Sequence, residues 1–213
     1  MILRLLGVLV LLTWPALARE ERGAAPGDFD FYVLALSWSP AYCAGEGGGR
    51  DPDQCRPGRR LGFVVHGLWP QGERGYPSFC GADRIVPRAA LAEAEGLFPS
   101  EGLARYQWRK HGSCAGTSPS AYFRDVRRAS ESLRVPAELT DGSSRRLSPL
   151  AIERAFAREN PGLRPDMMSV ACRRGALQEV RVCFEKDLRG FRSCPEVDRG
   201  GCRIGDVDIP PPR

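Results

Sequence analysis

The sequence predicts an α+β fold: a central antiparallel sheet packed against several helices and stapled by disulfides. Three observations carry that expectation. Strand-like and helix-like stretches follow one another without the regular alternation of a parallel α/β sheet. Helix starts are marked by Pro or Ser-Pro pairs in the second half of the chain. Eight cysteines, an even number, follow a leader that reads as an export signal. The chain has 213 residues, 42% hydrophobic and 27% charged. That composition excludes a fully disordered or fibrous protein, and the length suits one domain.

The elements can be justified in order. Residues 1–18 have a short basic start at Arg4, an apolar run from Leu5 to Leu12 and an Ala16-Leu17-Ala18 cleavage site. They read as a secretory signal peptide, too short for a membrane anchor. Residues 19–28 are charged and Gly-rich, a flexible lead-in, and 29–213 form the single domain. Phe29 to Trp38 is apolar on both alternating faces, as a buried central strand is. Residues 44–60 read as a loop that Cys43 and Cys55 could staple. Gly62 to Leu68 is a second strand, with His66 on the face of Val64 and Leu68. Residues 87–96 form a helix with Pro near its start and Gly at its end. Ser100 caps the next helix, which runs to Lys110 and stops at Gly112. That helix places Leu103, Gln107, Lys110 and His111 on neighbouring turns. Ser118-Pro119 opens a helix to about Leu133, and Ser148-Pro149 opens another that Asn160-Pro161 closes. Val180, Val182 and Phe184 alternate with Arg181 and Cys183 in a strand, after a hairpin turn at Arg173-Arg174-Gly175. The Pro-rich tail from Ile209 to Arg213 reads as loose.

The cysteines are Cys43, Cys55, Cys80, Cys114, Cys172, Cys183, Cys194 and Cys202. Export favours four disulfides over a zinc site, since no Cys-x-x-Cys pair exists and only two histidines are present. Spacing alone leaves on the order of a hundred pairings open. No metal or other cofactor is expected, and no membrane association once the leader is removed.

The rare residues point to chemistry. The two histidines are each followed by glycine, His66-Gly67 and His111-Gly112. Only Lys110 and Lys186 among 31 basic residues are lysines, and Lys110 adjoins His111. The formal charge of +5 permits a polyanionic partner without requiring one. Two imidazoles can give and take a proton near neutrality, an ammonium can stabilise charge on a reacting phosphate, and indoles offer flat faces to bases. Trp38, Trp69 and Trp108 lie in or near the two histidine segments. Together these supply what cleavage of RNA through its own 2′-hydroxyl calls for. Singly, each has an ordinary structural use: a core histidine, packed indoles, a basic helix end that complements the dipole.

The combination resembles the ribonuclease T2 family. Leu34-Ala-Leu-Ser-Trp38-Ser-Pro40-Ala-Tyr-Cys43 is similar to the family's first strand, His66-Gly-Leu-Trp69-Pro70 to its first active-site motif, and Trp108-Arg-Lys110-His111-Gly112-Ser-Cys114 to the core of its second. The resemblance implies a metal-independent endoribonuclease of low base specificity, exported to a periplasm or the extracellular space. It would yield 2′,3′-cyclic phosphates and then 3′-phosphates from single-stranded RNA and leave DNA uncut. His111 would be the general base, His66 the general acid and Lys110 the stabiliser of the pentacoordinate phosphorus. Trp69 would help hold a base; Trp38, with its flat face, Tyr106 and Gln71 are further expected substrate contacts, and Ser37, Gln71 and Tyr76 are candidates for base preference. The implied pairs are Cys80–Cys114, Cys172–Cys202, Cys183–Cys194 and Cys43–Cys55. The chain is expected to act as a monomer.

Two positions depart from the pattern. The family's second motif begins His-Glu-Trp, whereas this chain has Tyr106-Gln107-Trp108. Tyr106 keeps a hydrogen-bond donor where a phosphate-binding His is expected, and Gln107 keeps the length of Glu without its charge. Reduced activity is the expected consequence. The competing readings are a catalytically weakened relative that binds RNA or another polyanion, and a disulfide-stapled extracellular recognition module.

Overall fold

The computed structural model describes residues 19–45, 47–49, 51–81, 85–203 and 205–212. The expected signal peptide lies outside them. The fold is α+β. Its centre is a sheet of six strands among the described residues, in which β2 (Phe31–Trp38) pairs antiparallel with both β3 (Phe63–Gln71) and β7 (Ala176–Glu185). The hairpin partner of β7 is β6 (Met168–Arg173). The turn between them is Arg174-Gly175, whose φ values of 51° and 82° match the left-handed residues that a tight two-residue hairpin demands. The sheet continues through β8 (Val207–Ile209) to β5 (Arg145–Leu147).

Alternation along the strands gives the sheet two different faces. Tyr32, Leu34, Leu36 and Trp38 of β2 join Val65 and Leu68 of β3 and Val180, Val182 and Phe184 of β7 in the main core. Each fully buried Val or Leu there contributes about 1.5–3 kcal/mol. The helices α3 (Arg88–Ala94), α4 (Glu101–Lys110), α5 (Pro119–Ser132) and α6 (Pro149–Glu159) bring buried residues to this core. The Ser-Pro starts are helix caps: Ser118 and Ser148 accept from the backbone N–H of Ala121 and Ala151. The opposite face carries a small apolar floor of Phe31, Val33, Cys183 and Cys194, with Trp69 and Val197 packed on it.

Several expectations needed correction. The lead-in is not free. Its β1 (Glu20–Arg22) pairs in parallel with β4 (Tyr76–Ser78), and Ser78 Oγ donates to Glu20 Oε1 at 2.7 Å. The tail is not loose either, because Val207 and Ile209 alternate around Asp208 and are buried, while Trp38 Nε1 donates to Pro210 O at 3.0 Å. Gly62–Leu68 extends to Gln71, and helix α1 (Ser39–Ala44) follows β2 directly, with α2 (Pro52–Cys55) inside the expected loop. Gly112 does not stop α4 by a left-handed turn. The chain continues as a 3-10 turn over Gly112–Cys114, and the glycine is fixed by packing: a Cβ there would come within 2.6–2.8 Å of the Trp108 and Tyr122 rings.

The most consequential correction concerns His66. The pairing of β2 with β3 shifts between Ala35, opposite Gly67, and Leu36, opposite Val65. His66 is therefore the extra residue of a β-bulge, which breaks the two-residue period and re-aims the side chain. Leu68 enters the core, whereas His66 lines a pocket with Trp69 and Gln71 on the other side.

Candidate active site

One pocket, of about 370 Å³, gathers the sequence-predicted residues. It is lined by His66, Trp69 and Gln71 from β3, by Tyr76 from β4, and by Tyr106, Gln107, Lys110 and His111 from the end of α4. Helix α4 is built to deliver that end. Ser100 Oγ accepts from Leu103 N–H, Glu101 sits in the first turn, and Arg109 and Lys110 sit in the last, each sign complementing the helix dipole. Two tethers then fix the end of α4 to the segment after β4. Phe79 N–H donates to Lys110 O at 2.8 Å, and Cys80 is bonded to Cys114. The other disulfides join Cys43–Cys55, Cys172–Cys202 and Cys183–Cys194, which is the pairing the resemblance implied.

The Trp69 indole is the spacer of the site. His111 stacks on it, with ring centroids 5.1 Å apart and 27° between planes, and His66 meets it edge-on at 5.2 Å. The two imidazoles thus flank one ring. The indole is itself held, because Trp69 Nε1 donates to Gln107 Oε1 at 2.9 Å. That contact runs over the bare backbone of Gly67, where a Cβ would lie 2.2 Å from Gln107 Oε1 and 2.4 Å from Trp69 Nε1. Gln107 is buried and serves here as an acceptor.

The two histidines sit in opposite electrostatic settings. His111 is buried, and its Nδ1 has no hydrogen-bond partner among the described residues. Burial first, then the positive charge of Lys110 and the proximity of His66, hold its pKa well below the ordinary imidazole value. His66 instead places Nδ1 2.6 Å from Glu179 Oε1. Burial pushes the Glu179 carboxyl up, but the hydrogen bonds and charges of His66 and Arg181 outweigh it, and the net direction is down. Glu179 is therefore a buried carboxylate. Its other oxygen, Oε2, accepts from Arg181 Nε at 2.7 Å.

Glu179 and Arg181 were missed as site residues. Arg181 and its alternation with Val180 and Val182 were visible in the sequence, and two charges on one face of a central strand were the available signal. The pairing with His66, 113 residues away, was not. Also missed was α7 (Pro195–Arg199), with Glu196, Val197 and then Gly200 at the pocket wall. Disulfides at Cys194 and Cys202 bracket that segment and hold it. Among the expected contacts, Trp38 is not part of the pocket. It is buried in the core and anchors the C-terminal segment. Ser37 lies under the site, with Oγ 3.5 Å from Glu179 Oε1, and Tyr76 lines the pocket. No cluster of His, Cys, Asp and Glu suited to a metal ion is found among the described residues.

Comparison with known proteins gives the family and the fold. The model of the ribonuclease T2 family matches residues 29–194. The chain is similar to a protein named Ribonuclease from Aeromonas hydrophila, 39% identical over 208 residues that span 90% of this chain and 87% of that one. It is also similar to Ribonuclease I of Escherichia coli (strain K12), 27% identical over 83% and 84% of the two chains. In fold it is similar to trichomaglin, described as an S-like ribonuclease, with a TM-score of 0.69, 24% identity, and coverage of 87% of this chain and all (100%) of that one. An RNase-related protein from Calystegia sepium gives a TM-score of 0.67 at 20% identity, over 87% and 98% of the chains. The matched span takes in both histidine segments and most of the chain, and on that footing the chain belongs to the ribonuclease T2 family of RNA-cleaving enzymes.

Proposed function

We propose that this protein is an exported endoribonuclease that cleaves RNA by acid-base transphosphorylation without a metal ion. The observation that carries the reading is the pair of imidazoles on one indole with Lys110 in the same pocket. His111, kept neutral by burial and by Lys110, takes the proton of the 2′-hydroxyl. With its Nδ1 buried, Nε2 is the nitrogen that does so. The 2′-oxygen attacks phosphorus, and Lys110 stabilises the charge on the pentacoordinate phosphate. His66, with Nδ1 engaged by Glu179, offers Nε2 to protonate the leaving 5′-oxygen. The cyclic phosphate is then opened by water as the two rings exchange roles. Tyr106, more than a third exposed at the pocket rim, gives a hydroxyl for a phosphate oxygen, and Gln71 and Tyr76 border the space for a base beside Trp69. Four disulfides support export to an oxidising compartment.

A second reading, binding of RNA with little turnover, is favoured by one observation: Gln107 places an uncharged amide beside the reacting centre. Release of acid-soluble nucleotides from RNA by the purified, oxidised protein, with EDTA present, separates the two. Release supports the enzyme, and RNA binding without release selects the second reading.

A further inference from the structure

Strand β7 sends Glu179 and Arg181 to the site face of the sheet while Val180 and Val182 enter the core. Their neighbours across the sheet are small. Arg181 lies opposite Ala35 on β2 and Ser169 on β6, and Glu179 lies opposite Ser37 and Ala171. These short side chains leave room for two long charged ones on a central strand, a placement that folding alone does not favour. Glu179 is consumed in holding others. It is buried, and its two oxygens engage His66 Nδ1 and Arg181 Nε. Arg181 is not consumed. Its side chain is 36% exposed, and among the described residues it makes no ion pair or hydrogen bond beyond the one through Nε. The guanidinium carbon stands 5.4 Å from the centre of the Trp69 ring, a cation–π contact, and Arg181 lines the same pocket as His66.

The charge balance of the pocket gives that free edge a purpose. Lys110 is the other permanent cation of the lining, and the one acidic lining residue, Glu196, accepts from the Gly75 N–H through Oε1. Tyr106 brings a neutral hydroxyl, and Gln107 spends its carbonyl on Trp69. A planar guanidinium with four free N–H groups is matched to the non-bridging oxygens of a phosphodiester. We propose that Arg181 is a phosphate-binding residue of this site, and that Glu179 is the positioning residue that holds Arg181 and His66 side by side against the same phosphate. This rests on the RNA-cleaving reading and adds to it a second cation, approaching from the sheet while Lys110 approaches from the helix.

The test uses the full oxidised protein and two ligands, a nucleoside 3′-monophosphate and the same nucleoside without phosphate, titrated at fixed pH at several salt concentrations. For Arg181→Gln the monophosphate is expected to bind about tenfold more weakly or worse, the nucleoside within twofold of the original, and the salt slope to fall by about one. Arg181→Lys is expected to restore part of the loss. On RNA, Arg181→Gln raises KM more than it lowers kcat, whereas Glu179→Gln changes both. Equal affinity of Arg181→Gln and the unaltered protein for the monophosphate, or equal loss for both ligands, overturns the role of Arg181. Glu179→Gln with kcat and KM both unchanged overturns the positioning role. The two-ligand comparison is readable even if the unaltered protein fails to cleave RNA, so it fails separately from the catalytic reading.

Discussion

The two His-Gly segments look alike on paper and are built in opposite ways. His66 stands on a strand bulge, partly open to solvent, and is held by a hydrogen bond to a buried carboxylate. His111 ends a helix, is buried, and is held by stacking on Trp69 with one nitrogen unpartnered. The glycine after each serves packing. Gly67 lets the Trp69–Gln107 contact cross the backbone, and Gly112 lets Trp108 and Tyr122 close on the turn. One side-chain type is thus placed in two chemical settings: a carboxylate at one ring, and desolvation beside an ammonium at the other.

That asymmetry can be broken directly. Replacing either histidine by Ala should lower kcat/KM on RNA by about a thousandfold or more, since each would remove one of the two proposed proton-transfer groups. Steady-state cleavage assays check this, and a loss under tenfold at either position would mean that the ring is not a proton carrier. After the histidines, Gly67→Ala is expected to lower activity the most. Its Cβ would force apart Trp69 and Gln107, the contact that spaces both rings. Overpacking of this kind costs about 1–3 kcal/mol, visible as a lower Tm together with reduced activity. Opening the Cys80–Cys114 link by a double Ser substitution should cost about 2–4 kcal/mol in chemical denaturation and loosen the helix end against the strand.

Two finer changes sharpen the contrast. As the proposed base, His111 would work only when neutral, and its pKa is held below that of a free imidazole by burial and Lys110. The acid limb of kcat/KM should therefore fall below the ordinary value of about 6.5. Lys110→Gln removes one of the charges that hold it there, so the limb should move up in pH while the rate drops. A limb that stays in place would remove Lys110 from the electrostatics of His111. The smallest effect is expected from Gln107→Glu: a carboxylate that still accepts from Trp69, with turnover rising several-fold and the acid limb shifting upward. An unchanged or lower rate would mean that the site has adapted around the amide.

What was legible in the sequence follows from the range of the forces involved. Helix caps at Ser100, Ser118 and Ser148 are local signals, and the helices start where those residues stand. The central strand, the turn at Arg174-Gly175 and the convergence of His66, Lys110 and His111 on one pocket were also anticipated, the last through a resemblance rather than through periodicity. The bulge at His66 was not, because a one-residue slip is set by pairing with β2 and leaves no mark in the alternation itself. Trp38 was expected at the substrate for its flat face, but its place on the core side of β2 decided otherwise. Short strands such as β1 and β8 are stabilised by partners more than fifty residues away in the chain, and three-residue segments carry too little pattern to be read. The contact of Glu179 with His66, 113 residues away, belongs to the same class of long-range pairing.

In the proposed reaction two imidazoles act on one phosphodiester through the ribose 2′-hydroxyl. The most direct measurement is product analysis of a short RNA and its counterpart carrying a single 2′-deoxy sugar at the scissile step, with EDTA throughout. The expected result is a 2′,3′-cyclic phosphate from the RNA, no cut at the deoxy position, and neither product from the His66→Ala or His111→Ala protein. Cleavage at the deoxy position, or cyclic phosphate formed at an undiminished rate by either variant, would contradict it.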